Sequence, residues 1–245
     1  MQLNDLGLTI AAGLASLVFS SFEMNGQQAT NLDGAWHLKN GTDEQLLLFT
    51  DGYFTHTSYS KEPKEFVQTR GGNFTNKDGQ LAIEYEFDTK NSEQVGQTSS
   101  YSFSLANDEL TINLNGKKET WKRLDNGIAP LAGVWHITER MQDGKLVPIH
   151  RTGTRKTLKI LTGSKFQWAA IDPGKKEFSG TGGGSYTFVD GKYTEHIEFF
   201  SRDNNRVGAS LQFDGKLENG KWHHSGLSSR GDKIYEVWSR INAKD

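Results

Sequence analysis

The chain repeats itself at one fixed spacing. Asp78-Gly79 is matched by Asp190-Gly191, an offset of 112 residues (190 − 78), and Gly71-Gly72 is matched by Gly183-Gly184 at the same offset. Phe54 and Phe166, Lys64-Glu65-Phe66 and Lys176-Glu177-Phe178, Glu86-Phe87 and Glu198-Phe199, and Val95-Gly96 and Val207-Gly208 all keep it. The register runs without a gap from Leu46 to Leu114 and changes only at the ends, where Trp36 pairs with Trp135 (offset 99) and Trp121 with Trp238 (offset 117). Self-similarity at a fixed period signals duplicated structural units. A chain of 245 residues then holds two domains of modest size rather than one large one.

Each copy opens on Gly-x-Trp (Gly34-Ala35-Trp36; Gly133-Val134-Trp135) and closes on Trp-x-Arg (Trp121-Lys122-Arg123; Trp238-Ser239-Arg240). Between these marks lie runs of alternating polarity, separated by turn signals at Asp51-Gly52, Asp78-Gly79, Asn115-Gly116 and Asp190-Gly191. No helical period is sustained after residue 30, and 27 glycines against 4 prolines suit short strands and tight turns. The expected fold is all-β: two tandem small antiparallel barrels, over residues 30–125 and 131–242, joined by Asn126-Gly127-Ile128-Ala129-Pro130.

The first 29 residues differ. Leu6 to Phe22 is apolar and rich in small residues before the chain turns polar, which is the pattern of a secretory signal peptide, although no Lys or Arg precedes it. The expectation is a periplasmic or secreted protein with no stable membrane span after signal removal. Zero cysteines exclude disulfides, thiolate nucleophiles and Cys-based metal sites. A net charge of −2 with no basic run argues against nucleic acid as a partner.

Gly-x-Trp on the first strand and Arg on the last strand of a β domain of this size resemble the lipocalin/calycin superfamily. The resemblance implies that Arg123 lies across Trp36, and Arg240 across Trp135, as plugs of the barrel floors. In Gly182-Gly183-Gly184-Ser185-Tyr186-Thr187, Tyr193 to Phe200 and Ile234 to Arg240, the second copy is also similar to the lipocalin-like domains of exported Bacteroidetes proteins.

Alternate side chains of a strand share a face, so one copy serves as a control for the other. Leu81, Ile83, Tyr85 and Phe87 form an apolar face whose counterparts are Tyr193, Glu195, Ile197 and Phe199. Leu110, Ile112 and Leu114 correspond to Trp222, His224 and Gly226. Glu195 and His224 therefore stand where the first copy has Ile83 and Ile112. Glu139 shares a face with Trp135 and Ile137 if its strand stays regular. The first copy reads as a filled apolar core, and the second as a barrel with a polar lining. An unpartnered buried carboxylate is costly by several kcal/mol, so such groups pair with each other or meet water or a ligand.

The connection after Trp135 is 13 residues longer than its counterpart (23 − 10) and carries Lys145, His150, Arg151, Arg155 and Lys156. In a lipocalin-like barrel this loop folds over the mouth, and a basic lid would suit an anionic ligand. A solvated loop with incidental charge is the plainer alternative.

These features define the expected site. Glu139, Glu195 and His224 would hold the polar end of a small, partly apolar molecule, with Phe166, Trp168 and Trp222 as walls and Arg151 and Arg155 above. The alternative is a hydratase, isomerase or lyase working without metal or organic cofactor, with Glu195 as general base and His224 as general acid. A third reading is a non-catalytic interaction scaffold. His196, Glu198, His223 and His224 fall on different faces and do not converge on a metal. Gly180 to Gly184 lacks the helix and Lys-Ser/Thr of a phosphate loop. Exposed aromatics such as Tyr53 and Tyr59 read as ordinary strand residues. The sequence says nothing of oligomeric state.

Overall fold

The computed structural model describes residues 31–114, 116–150, 153–228 and 231–241. The signal-like segment, Asn115 and Arg151 lie outside these residues. The described chain is two closed antiparallel barrels in tandem, a topology consistent with a lipocalin-like fold.

The first barrel runs through β1 (Gly34–Asn40), β2 (Asp43–Thr50), β3 (Tyr53–Lys61), β4 (Lys64–Lys77), β5 (Gln80–Asp88), β6 (Thr98–Ala106), β7 (Glu109–Ile112) and β8 (Glu119–Asp125), and closes by pairing β1 with β8. The second begins at β9 (Gly133–Gln142), whose far end folds back as the short β10 (Lys145–Pro148). It continues through β11 (Lys156–Leu161), β12 (Lys165–Asp172), β13 (Glu177–Val189), β14 (Lys192–Phe200), β15 (Ser210–Glu218), β16 (Lys221–Leu227) and β17 (Lys233–Arg240). Pairing of β9 with β17 closes it. Apart from β9, which pairs with β11 past the returning β10, each strand within a barrel pairs with the next in sequence, as short hairpin turns such as Asp78-Gly79 and Asp190-Gly191 dictate.

The floors are built alike. The guanidinium carbon of Arg123 lies 3.9 Å from the Trp36 ring centre and that of Arg240 lies 4.3 Å from Trp135. The indole N–H groups of Trp36 and Trp135 donate to the carbonyls of Leu32 (2.9 Å) and Leu131 (2.8 Å). A flat cation on an indole face gains cation–π attraction while its N–H groups serve backbone carbonyls, here those of Asp33 and Asn31 for Arg123, and Ala132 and Pro130 for Arg240.

The inner faces depart from strict alternation at one shared place. The β4–β5 ladder pairs Gly71 with Phe87 and Gly72 with Tyr85, so Glu86 is an extra residue in β5. The β13–β14 ladder does the same around Glu198. Such a bulge reverses the alternation beyond it. Phe87 and Phe199, read from sequence as inward, therefore turn out of their barrels.

They turn onto each other's domain. The outer faces of β2 to β5 pack against those of β11 to β14, burying Leu46, Leu48, Tyr53, Tyr59 and Phe87 with Leu158, Ile160, Ala169, Ile171 and Phe199. Tyr53 and Tyr59 are thus interface residues, 4% and 2% exposed, and not surface aromatics. A closed polar cluster crosses the contact: Gln167 accepts from Thr57 at 3.0 Å and donates to Thr69 at 2.9 Å and Thr181 at 3.0 Å. Tyr59 donates to Glu198 (2.9 Å), and Lys156 to Glu86 (2.6 Å). The Gly-Gly pair of each copy belongs to this arrangement. A Cβ on Gly71 would lie 2.7 Å from Phe87 Cζ, and one on Gly183 only 2.5 Å from Phe199 Cζ. Each ring lies on bare backbone that no larger residue leaves free.

Candidate functional site

The first barrel is largely filled by Trp36, Leu47, Phe49, Phe54, Leu81, Ile83, Leu110, Ile112 and Trp121. It is not wholly apolar. His56 is buried against Trp121 and its Nε2 meets Gln45 Oε1 at 3.0 Å. Burial, with Arg70 adding repulsion, pushes its pKa from 6.5 down to about 3, so it is a neutral, partnered core group.

The second barrel holds a cavity of about 420 Å³. Above the plugged floor, Leu161, Phe166, Tyr193, Trp222 and Trp238 form a packed layer with Trp135. Higher up, Lys159, Trp168, Glu195, Ile197, Phe213, His224 and Glu236 line the space, which reaches the rim at Thr157, Arg202, Arg206 and Ile234. This placement follows from the strand period: Lys159 lies between Leu161 below and Thr157 above on the inner face of β11, paired across the ladders with Trp135 and Trp168.

Lys159 dominates the interior. Its Nζ lies 2.8 Å from Glu195 Oε1, and both side chains are under a tenth exposed. Four aromatic rings surround the ammonium, with centres at 4.9 Å (Tyr193), 5.1 Å (Trp222), 5.5 Å (Trp238) and 5.8 Å (Phe213). Ring faces and a carboxylate both attract the ammonium, so the geometry holds a buried ion pair.

His224 stands beside it, 2% exposed, with the Phe213 ring centre 4.2 Å away. Its Nδ1 is 3.5 Å from Glu236 Oε2, and neither ring nitrogen makes a hydrogen bond within the described chain. Burial lowers its pKa and the Lys159 charge adds to the effect, against the weaker pull of Glu236 and Glu195, so the ring is neutral near pH 7. Glu236 is raised by burial but lowered more by His224, Lys159 and the Trp238 indole N–H, and stays ionised.

The residues expected from sequence separate into groups. Glu195, His224 and Trp168 line the cavity, while Phe166 and Trp222 lie in the layer beneath it. Glu139 does not join them. The β9–β17 ladder pairs Glu139 with Val237 and Ile137 with Trp238, leaving Thr138 as an extra residue, and this bulge turns Glu139 outward to Lys221 at 2.7 Å. The insertion is not a loose lid: it lengthens β9 and returns as β10. Arg155 lies in a separate groove beside the mouth, with Arg140 and His150.

Lys159 and Glu236 were not among the expected residues. The repeat carries a signal for Lys159, which stands opposite Leu47 at the common offset (159 − 47 = 112). Glu236 has no such signal, because Glu119 occupies the matching place at the end offset (236 − 119 = 117).

What the fold and cavity define is a tandem antiparallel β-barrel protein, consistent with a lipocalin-like fold, whose first copy is largely filled below a shallower pocket at Arg70, Tyr85 and Tyr101 and whose second holds the cavity around Lys159. No known protein-family model matches the chain, and no curated protein does.

Proposed function

We propose that the chain is an exported binding protein that holds a small, partly apolar molecule in the second barrel, in the manner of the lipocalin-like domains of exported Bacteroidetes proteins that its motifs resemble. The observation that carries this reading is His224, a buried imidazole on the cavity wall whose Nε2 has no hydrogen-bond partner within the described chain and whose Nδ1 meets only Glu236, at a long 3.5 Å. An unsatisfied buried polar group costs about 1–3 kcal/mol, and a ligand hydroxyl, carbonyl or amide seated there removes that cost. The apolar walls, Ile197, Phe200, Leu211 and Phe213, supply the rest of the contact.

Catalysis by Glu195 and His224 is the weaker reading. Glu195 is already engaged by Lys159, and the nearest carboxylate to His224 is Glu236.

Native mass spectrometry of the full chain purified from its own host tests the proposal. A retained small-molecule mass that is lost in His224→Phe supports it. Bare protein, together with no thermal stabilisation by a panel of aromatic and aliphatic alcohols, amides and acids, overturns it.

A further inference from the structure

The cavity interior is a poor place for an anion. Lys159 is neutralised by Glu195, His224 is neutral, and Glu236 is ionised, so the lining groups below the rim sum to a negative charge. At the rim of the cavity Arg206 is paired with Asp203, and the guanidinium of Arg202 is spent on the Ser179 carbonyl. A groove of about 370 Å³ beside the mouth is lined by Arg140, His150, Arg155 and Lys156, with Ile137 and Ile149, and by no carboxylate. Lys156 is held by Glu86 of the first barrel, whereas Arg140, His150 and Arg155 make no ion pair within the described chain. Glu236 is the cross-strand neighbour of Arg140, yet its carboxylate is turned to His224 and the Trp238 indole N–H. The carboxylate of Glu139, one residue before Arg140, is on Lys221.

Cations brought together without counter-charge repel one another, and an oxyanion among them relieves that repulsion through charge-assisted hydrogen bonds. The groove meets the cavity at Thr157, which lines both. Among the described residues it is built from the lengthened β9, Ile149 and His150 after the returning β10, and Arg155 to Thr157, all of the second copy.

We infer that Arg140, His150 and Arg155 form an anion site at the rim, which takes the charged head of the ligand while its apolar body lies in the cavity beside His224. The ligand class is an amphipathic oxyanion, a phosphate or sulfate monoester or a carboxylate, inserted apolar end first. This assignment rests on the cavity reading for the ligand's body and on the groove alone for its head.

Calorimetric titration of the full chain with inorganic phosphate, octan-1-ol, and octyl phosphate, sulfate and carboxylate tests it, with Arg140→Gln/Arg155→Gln as the variant. Octyl phosphate should bind at least about tenfold tighter than octanol, and the variant should lose that advantage while keeping octanol. The order among the three octyl anions then identifies the head group. If inorganic phosphate binds and octanol does not, with octyl phosphate no tighter than phosphate, the cavity reading fails and the rim site stands. If octanol and the octyl anions bind equally, and the variant matches the wild type, the rim site is overturned and the cavity reading stands. If no probe binds, the rim site is also overturned.

Discussion

Lys159 and Glu195 meet at 2.8 Å inside the second barrel, at the two positions where the first barrel packs Leu47 against its apolar core with Ile83. The protein thus contains both solutions to one site, an ion pair and a pair of aliphatic side chains, on the same backbone plan. The comparison separates what the barrel requires from what the cavity requires.

Replacing the pair with its counterpart should therefore be tolerated. Lys159→Leu/Glu195→Ile is expected to leave stability unchanged or raise it by about 1–4 kcal/mol, because two desolvation penalties disappear together. Either substitution alone strands a buried charge and should cost about 3–5 kcal/mol. Denaturant unfolding of the two single variants and the double variant checks this. Additive losses would show that the two side chains do not act as a pair.

Acidification should unfold the protein through its histidines before its carboxylates. His56 binds its proton at about pH 3 when folded and near 6.5 when unfolded, and His224 is shifted in the same direction. Between those values the unfolded chain holds the extra proton, so stability is full above about pH 6.5 and falls as pH drops toward 3. Over that window His56 contributes a slope of about 1.4 kcal/mol per pH unit, and His224 adds to it with the same sign. Glu198, held near 2 by Lys165, Lys61 and Tyr59 against its burial, adds its loss only below about 4.5. Thermal unfolding across pH 7 to 4.5 should be flatter in His56→Leu than in the wild type. An identical slope would mean that His56 is protonated in the folded state.

The two barrels should unfold together. Gln167 from the second bonds Thr57 and Thr69 of the first within a buried contact. Gln167→Leu removes one partner from each hydroxyl, which keep their 2.8 Å bond to each other, and is expected to cost about 1 kcal/mol. Calorimetry should show one shared transition moving down in temperature. Two separate transitions, with only one shifted, would contradict a single cooperative unit.

Much of the architecture was legible because the repeat supplied its own alignment. Two tandem barrels, Trp–Arg floors, and Glu195 and His224 on an inner face all follow from the offset and the two-residue period. Lys159 was hidden for a physical reason. Both faces of β11 are buried, one by its own barrel and one by the other domain, so Leu158, Ile160 and Leu161 form a nearly continuous apolar run with no alternation to assign the lysine. Bulges account for the remaining errors. Thr138, Glu86 and Glu198 each add one residue to a ladder, and nothing in their side-chain types announces it. The first barrel's partner surface escaped notice for a related cause: Tyr53, Tyr59 and Phe87 look like ordinary strand residues until a second sheet is laid on them.

The Trp135–Arg240 plug makes the second barrel a blind-ended vessel. Whatever enters must leave by the same mouth, apolar end last, past Arg140 and Arg155. Loading and release then share one doorway. Salt that screens the rim charges slows capture of an anion and hastens its escape together, so the surrounding ionic strength would set how long a bound anion stays.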